Sequence, residues 1–237
     1  VKVEIWAEIT CPWCGLGSHR LDRAVERFEH GDQVEVIHHS FPLSSGFPTD
    51  RLLTVREALA SKHGISGRQA EVSTRKIETL AAGEGLAPYR VLDNHVGNTL
   101  LAHEFLAHAT AKGKNRQAWD AIFAAYFGKA DPVFGLDDLL RLGDELGLDR
   151  EQTRQALTER RYRRQVQQDA ARGQRLGATG APFIVVDGRY GVPGAGETDI
   201  LLEVLRTAWD ETHPLTPVTG GDIPACGPDG CAVPPRP

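Results

Sequence analysis

The 237-residue chain carries 27 basic and 32 acidic side chains, for a net charge of −5, and is 41% apolar and 25% charged. That balance belongs to an ordinary globular protein, long enough for one large domain or a core domain with a sizeable insertion. It supplies no general basic field for nucleic acid, and no stretch approaches the roughly 20 apolar residues of a membrane span.

The first predicted element is a strand over residues 3–9, VEIWAEI. Val3, Ile5, Ala7 and Ile9 alternate with Glu4, Trp6 and Glu8, which puts the apolar set on one face and the rest on the other. The same start lacks the charged and apolar segments of a signal peptide. An intracellular, cytoplasmic protein is expected, although removal of a leader ahead of Val1 is compatible with the sequence. Cys11-Pro12-Trp13-Cys14 then leads into a helix in which Leu16, Leu21, Ala24, Val25 and Phe28 recur at helical spacing, with Gly31 as its stop. VEVIHHSFPL is a second strand, ending near Pro42.

From about residue 48 to 178 helical patterns dominate, and no strand pattern of comparable strength interrupts them. The predicted helices begin near Asp50, Ser66, Val91, Asn115, Gly135 and Asp149, the last running unbroken toward Leu176. After Gly180 the pattern changes to strand, Asp187-Gly188 turn and strand, a hairpin signal. A final helix carries Ile200, Leu201, Val204, Leu205 and Ala208 on one face. Beyond Pro214 the chain is rich in Pro and Gly and reads as a tail whose order depends on what it docks against.

The four cysteines form two local pairs, Cys11/Cys14 and Cys226/Cys231. Such short loops constrain little unfolded-chain entropy, so redox or metal chemistry explains them better than stapling. A cysteine between a strand and a helix meets unpaired N–H groups and the positive end of the helix dipole. Thiols in such CxxC sites drop from a pKa of about 8.5 to between about 3.5 and 7. At ~1.4 kcal/mol per unit, the thiolate is stabilised by roughly 2 to 7 kcal/mol. Cys11 is therefore the candidate nucleophile and leaving group, Cys14 the resolving thiol, and Pro12 suits the first helical turn. A Cys₄ zinc site made from both pairs, or inert thiols, are the alternatives; zinc pairs more often sit on short knuckles than on a strand-to-helix turn. The chain contains no methionine, which fits either an oxidising environment or GC-rich coding.

CPWC at 11–14 after a strand, the helical insertion, and TGAPFIVVDGRYGVPGA at 179–195 together resemble the DsbA-like branch of the thioredoxin superfamily, specifically its FrnE-like cytoplasmic members, over residues 1–212. The resemblance implies an α/β thioredoxin fold at 1–45 and 180–212, an all-helical insertion at 46–179 and an irregular tail at 213–237. It implies a thiol–disulfide oxidoreductase or isomerase acting on protein thiols and disulfides, and on small thiols, with no organic cofactor and no metal. It also implies a cis Pro182 facing Cys11, with the Ala181 backbone free to pair with an extended substrate segment. Thioredoxins carry a buried acid six residues before the first cysteine; Ile5 stands there instead, and Glu8 is the nearest carboxylate for handling the Cys14 proton. A solvated or hydrogen-bonded strand position is the plainer role for Glu8. Trp13 is expected to be partly exposed and to contact substrate.

His38 and His39 point to opposite faces of a strand and cannot readily share a metal; His19 lies beyond Cys14 on the helix. The basic run ERRYRRQ reads as a solvated helix face, not a nucleic-acid surface. Two rivals share the architecture: a glutathione-dependent isomerase or transferase, in which serine commonly replaces the nucleophile, and a redox-inert peptide-binding module or chaperone. Cys226/Cys231 are expected to act as a second redox pair that exchanges with Cys11/Cys14. The span after His213 reaches roughly 20 Å at ~5–6 Å × √n, enough to bring them over the helix start.

Overall fold

The structure, a computed structural model, describes residues 1–64, 67–214, 226–227 and 230–231. Strand β1 (Lys2–Ala7) is followed by helix α1 (Pro12–Arg27) and strand β2 (Glu35–Ser40), which pairs parallel to β1 from Lys2↔Glu35 to Ala7↔Ser40. After the helical block, the chain returns to the same sheet. In numbering that leaves β3, β4 and α2–α8 for that block, β5 (Phe183–Val186) runs antiparallel to β1, β6 (Tyr190–Pro193) antiparallel to β5, and α9 (Thr198–Thr212) closes the unit. Strand order is β2-β1-β5-β6. Asp187 and Gly188 both take positive φ, 48° and 68°, the geometry of the tight turn read from the sequence. This is the βαβ plus ββα arrangement that the resemblance implies.

α1 and α9 cover one face of the sheet, where Val3, Ile5, Leu21, Ile184 and Leu205 are buried together. The opposite face, which carries Glu4 and Trp6 as alternation predicts, is covered as well. Trp6 is fully buried and Glu4 nearly so, because α8 (Arg163–Arg175) lies across β1 and β2. Trp6 stacks on His39 at 4.7 Å and donates its indole N–H to the Asp169 carbonyl at 2.8 Å. Glu4 is met by a two-pronged Arg172 at 2.8 Å per contact and by His39 Nε2 at 2.9 Å. Burial pushes the Glu4 carboxyl up, and these cations and hydrogen bonds more than offset it, leaving it below its ordinary range. Alternation alone does not reveal that a second layer covers the polar-looking face.

The block between β2 and β5 contains short strand pairing as well as helices. β3 (Leu53–Thr54) pairs antiparallel with β4 (His95–Val96), so α2 (Val55–His63) and α4 (Leu100–Ala111) begin later than their sequence patterns suggest. Thr54 caps α2 through a reciprocal box with Glu57. α3 (Gly67–Gly83), α5 (Asn115–Phe123), a π-helical turn at Ala124–Lys129, α6 (Leu136–Glu145), α7 (Arg150–Thr158) and α8 complete it. The long helix predicted from Asp149 breaks between α7 and α8, where Arg160 takes φ 53°. Arg160 makes two contacts, at 2.9 and 2.7 Å, to the buried Glu104, and this ion pair accompanies the break. One buried cluster joins Ala7, Ile9, Cys14 and Leu16 to Phe105, Trp119 and Phe127, so sheet unit and helical block share a core.

His38 lies in that joint, stacked on Trp119 at 5.3 Å with Nε2 2.9 Å from the Ser18 hydroxyl. Burial, aided by Arg116 and His39, pushes its pKa down to about 3 from 6.5. The unfolded chain binds this proton near pH 6.5 and the native chain does not. The contribution is therefore complete above about pH 6.5 and falls by ~1.4 kcal/mol per unit as the pH drops toward 3. Denaturant unfolding of His38→Gln between about pH 7 and pH 4 should show a shallower acid limb than the wild type; equal slopes would contradict this assignment.

β7 (Cys226–Gly227) and β8 (Gly230–Cys231) form an antiparallel pair with Cys226 opposite Cys231. The side chains of this pair, and the rest of the tail beyond Pro214, lie outside the described residues.

Candidate active site

α1 starts at Cys11. This residue caps the helix in extended conformation, φ −83° and ψ 114°, with Pro12 in the first turn and no acidic side chain there to neutralise the helix dipole. The chain must leave β1 and turn over the sheet end, which the Cys14 and Gly15 N–H groups secure by bonding to the Cys11 carbonyl at 2.9 and 3.4 Å. Cys11 is half-buried and Cys14 fully buried, both as free thiols. One turn of helix thus separates a half-buried cysteine from a fully buried one.

The two thiols are driven apart in acidity. A hydrogen bond from Cys14 lowers the Cys11 pKa most; burial opposes it, and the Cys14 and Trp13 backbone N–H groups lower it further. Burial first, then the Cys11 neighbour, pushes Cys14 well above its ordinary value. Its sulfur accepts one backbone hydrogen bond, from the Glu8 N–H at 3.4 Å. The arrangement suits a thiolate at Cys11 and a proton kept on Cys14.

Ala181–Pro182 is cis, and the Ala181 carbonyl lies 3.6 Å from Cys11 Sγ, close enough to accept from its thiol. Pro182 sits against α1 because position 17 is glycine: a Cβ there would lie 3.1 Å from Pro182 Cγ and 3.3 Å from Ala195 Cβ. Arg20, one turn on, donates to the Ala195 carbonyl at 2.7 Å and grips Glu84 at 2.9 and 3.1 Å, holding the same loop and α3 to α1. Trp13, 39% exposed, stands at the rim of a cleft of about 500 Å³. Cys11, Phe47, Leu59, Ile77, Val96 and Tyr126 are among its lining residues.

Of the two plainer roles expected for Glu8, solvated or hydrogen-bonded, the structure shows the second, just past the end of β1. Glu8 is buried, and accepts from the Leu43 N–H at 2.6 Å, the Ser44 N–H at 3.0 Å, the Thr99 hydroxyl at 3.1 Å and the Thr10 N–H at 3.3 Å. Burial raises its pKa; His103 and these donors outweigh it, so it stays below the usual carboxylate range. Sequence reasoning missed Thr99 and His103, which come from the insertion, and Tyr89, whose hydroxyl donates to the Pro12 carbonyl and whose ring stacks on Phe127 at 4.6 Å. A buried histidine in an apolar helix, AHEFLAHA, was the available signal for His103. His19 instead contacts the Glu84 carbonyl at 3.0 Å, and His39 faces Glu4.

The model of the DSBA-like thioredoxin domain matches residues 2–206. A probable DsbA oxidoreductase from Streptomyces coelicolor is 39% identical, with 99% of both chains covered and a TM-score of 0.84. The fold also recurs at low identity. A 2-hydroxychromene-2-carboxylate isomerase is 14% identical, with 92% of this chain and all of that one covered and a TM-score of 0.68. The cytosolic disulfide reductase DsbM from Pseudomonas aeruginosa, solved with GSH, is 18% identical, with 88% and 99% covered and a TM-score of 0.61. Among the described residues no helix is long and apolar enough to cross a membrane. With a half-buried cysteine capping α1, a buried partner one turn on and a cis proline beside them, the chain belongs to the family of DSBA-like thioredoxin oxidoreductases.

Proposed function

We propose that the protein is a cytoplasmic thiol–disulfide oxidoreductase that exchanges disulfides with protein substrates through Cys11 and Cys14. The observation that carries this is the division of labour at the start of α1: a half-buried Cys11 held toward thiolate and a fully buried Cys14 held as thiol. The Cys11 thiolate attacks one sulfur of a substrate disulfide, the substrate S–S bond breaks, and the leaving thiolate takes a proton. Cys14 then loses its proton and attacks Cys11 Sγ, releasing the second substrate thiolate. Two electrons have moved to the substrate and the protein holds a Cys11–Cys14 disulfide. Run in reverse, the same steps oxidise a dithiol, and no organic cofactor or metal enters either direction.

Ala181 and Pro182 present an edge beside Cys11 for an extended peptide, and Trp13 meets what enters from the rim. Glu8 lies close enough for its charge to act on both sulfurs and is the candidate for handling the Cys14 proton. Cys226 and Cys231, paired in backbone register across β7 and β8, are the candidate second pair that exchanges with the first. The cytoplasmic setting rests on the sequence and on the cytosolic description of DsbM.

Reduction of insulin by the wild type and by Cys11→Ser tests this reading. Activity of the variant should fall to the uncatalysed background. Unchanged activity would defeat it, in favour of a glutathione-dependent isomerase or a peptide-binding module. Retention of both Cys11 and Cys14 already speaks against the isomerase, whose chemistry needs no resolving thiol.

A further inference from the structure

The carboxylate of Glu8 meets the imidazole of His103, with Nε2 3.5 Å from Oε1, an ion-pair separation; both side chains are buried. His103 comes from α4, and neither its Nδ1 nor its Nε2 has a hydrogen-bond partner among the described residues. Its ring meets Trp119 edge-on at 5.9 Å, while His38, held neutral by burial, stacks on the same indole. At 3.5 Å the imidazole stands at ion-pair separation from Glu8 without meeting hydrogen-bond geometry, and four other donors already serve the carboxylate oxygens. What it can add is positive charge. That charge has a use, because an anion at Glu8 works against a thiolate at Cys11 and at Cys14 alike.

We propose that His103 is a positioning residue that carries the proton balancing the Glu8 carboxylate, and thereby shields the Cys11 thiolate from that carboxylate. The proposal rests on Cys11 being the nucleophile. Besides His103, the titratable groups that face Glu8 are Cys11 and Cys14 of α1 and Tyr126 of the π-helical turn; Tyr126 is kept neutral by burial and by Glu8 itself. Reduction of the Cys11–Cys14 disulfide takes up two electrons and one proton, which stays on Cys14. The site then gains one negative charge at Cys11, and the His103 proton is held more firmly in the dithiol than in the disulfide form.

Ultraviolet thiolate absorbance of the reduced protein, followed against pH, provides the test. His103→Gln should raise the Cys11 midpoint by about half a unit or more, roughly threefold less thiolate at a given pH. In a Glu8→Gln background the same substitution should shift nothing, since the charge it unmasks is gone. No shift in the single variant, or an equal shift in both backgrounds, overturns the proposal. So does a fall, which would mean that Glu8 itself takes the proton. Nitrogen-15 shifts of the wild-type imidazoles decide the matter even if a variant fails to fold. His103 should be doubly protonated near neutral pH in the reduced protein and should respond to oxidation; a neutral His103 indifferent to oxidation overturns the proposal. A Cys11 with no thiolate titration would sink the exchange reading instead, leaving the nitrogen shifts to judge His103.

Discussion

Cys14→Ser should convert a passing mixed disulfide into a stable one, so that incubation with a disulfide substrate yields about one Cys11-linked adduct per chain. The reason is proximity. Cys14 sits one helical turn from Cys11, and well-aligned intramolecular groups react as if present at about 10⁵ M or more. External thiols at millimolar concentration replace it poorly, so resolution should slow by at least about 10³-fold. Mass spectrometry of the trapped protein checks this, and it also reads the tail. An internal link from Cys11 to Cys226 or Cys231 supports exchange between the pairs, whereas its absence removes support for it. The zinc alternative predicts stoichiometric metal released by a chelator, with its tail ligands on side chains outside the described residues.

Trp6→Ala should cost about 3–5 kcal/mol, as truncation of a fully buried tryptophan does elsewhere. The loss would include its stack on His39, its packing against Phe183 at 6.3 Å and the Arg172 guanidinium 5.4 Å from its ring. It would also leave the Asp169 carbonyl without its indole donor. For a chain of this size the melting temperature should drop by about 10 °C. Trp6→Phe should lose much less, since it keeps most of the ring. A melting point for Trp6→Ala within a degree or two of the wild type would mean that α8 does not press on this face. The contact is tight: a Cβ added at Gly173 of α8 would lie 2.7 Å from Trp6 Cδ1.

Local signals carried the sheet unit. Alternation in β1, the helix after CPWC and the Asp187-Gly188 turn are written within short windows, and the structure has them; on α9 it buries Leu201, Leu205 and Ala208 as predicted, but leaves Ile200 exposed and buries Leu202 in its place. Trp6 and Glu4 share the face that alternation gave them, but a strand's period does not say whether a distant helix will cover that face. The same limit hid β3 and β4: two residues each, they exist only through their pairing with one another. At the site, Cys11 and Cys14 were legible because their chemistry is tied to chain position, and Pro182 through the family resemblance of the segment around it. Thr99, His103 and Tyr89 were not, since the fold brings them to the cysteine turn from 75 to nearly 100 residues away.

Cys14 belongs to the cluster that joins the sheet unit to the helical block, beside Ala7, Leu16, Trp119 and Phe127. Folding and reduction therefore form one thermodynamic cycle, in which whatever favours the folded dithiol over the folded disulfide makes the site a stronger oxidant. Every 1.4 kcal/mol of such preference corresponds to about 30 mV. A side chain far out in the insertion, with no view of substrate, can thus retune the electron affinity of this protein simply by how well it packs around one sulfur.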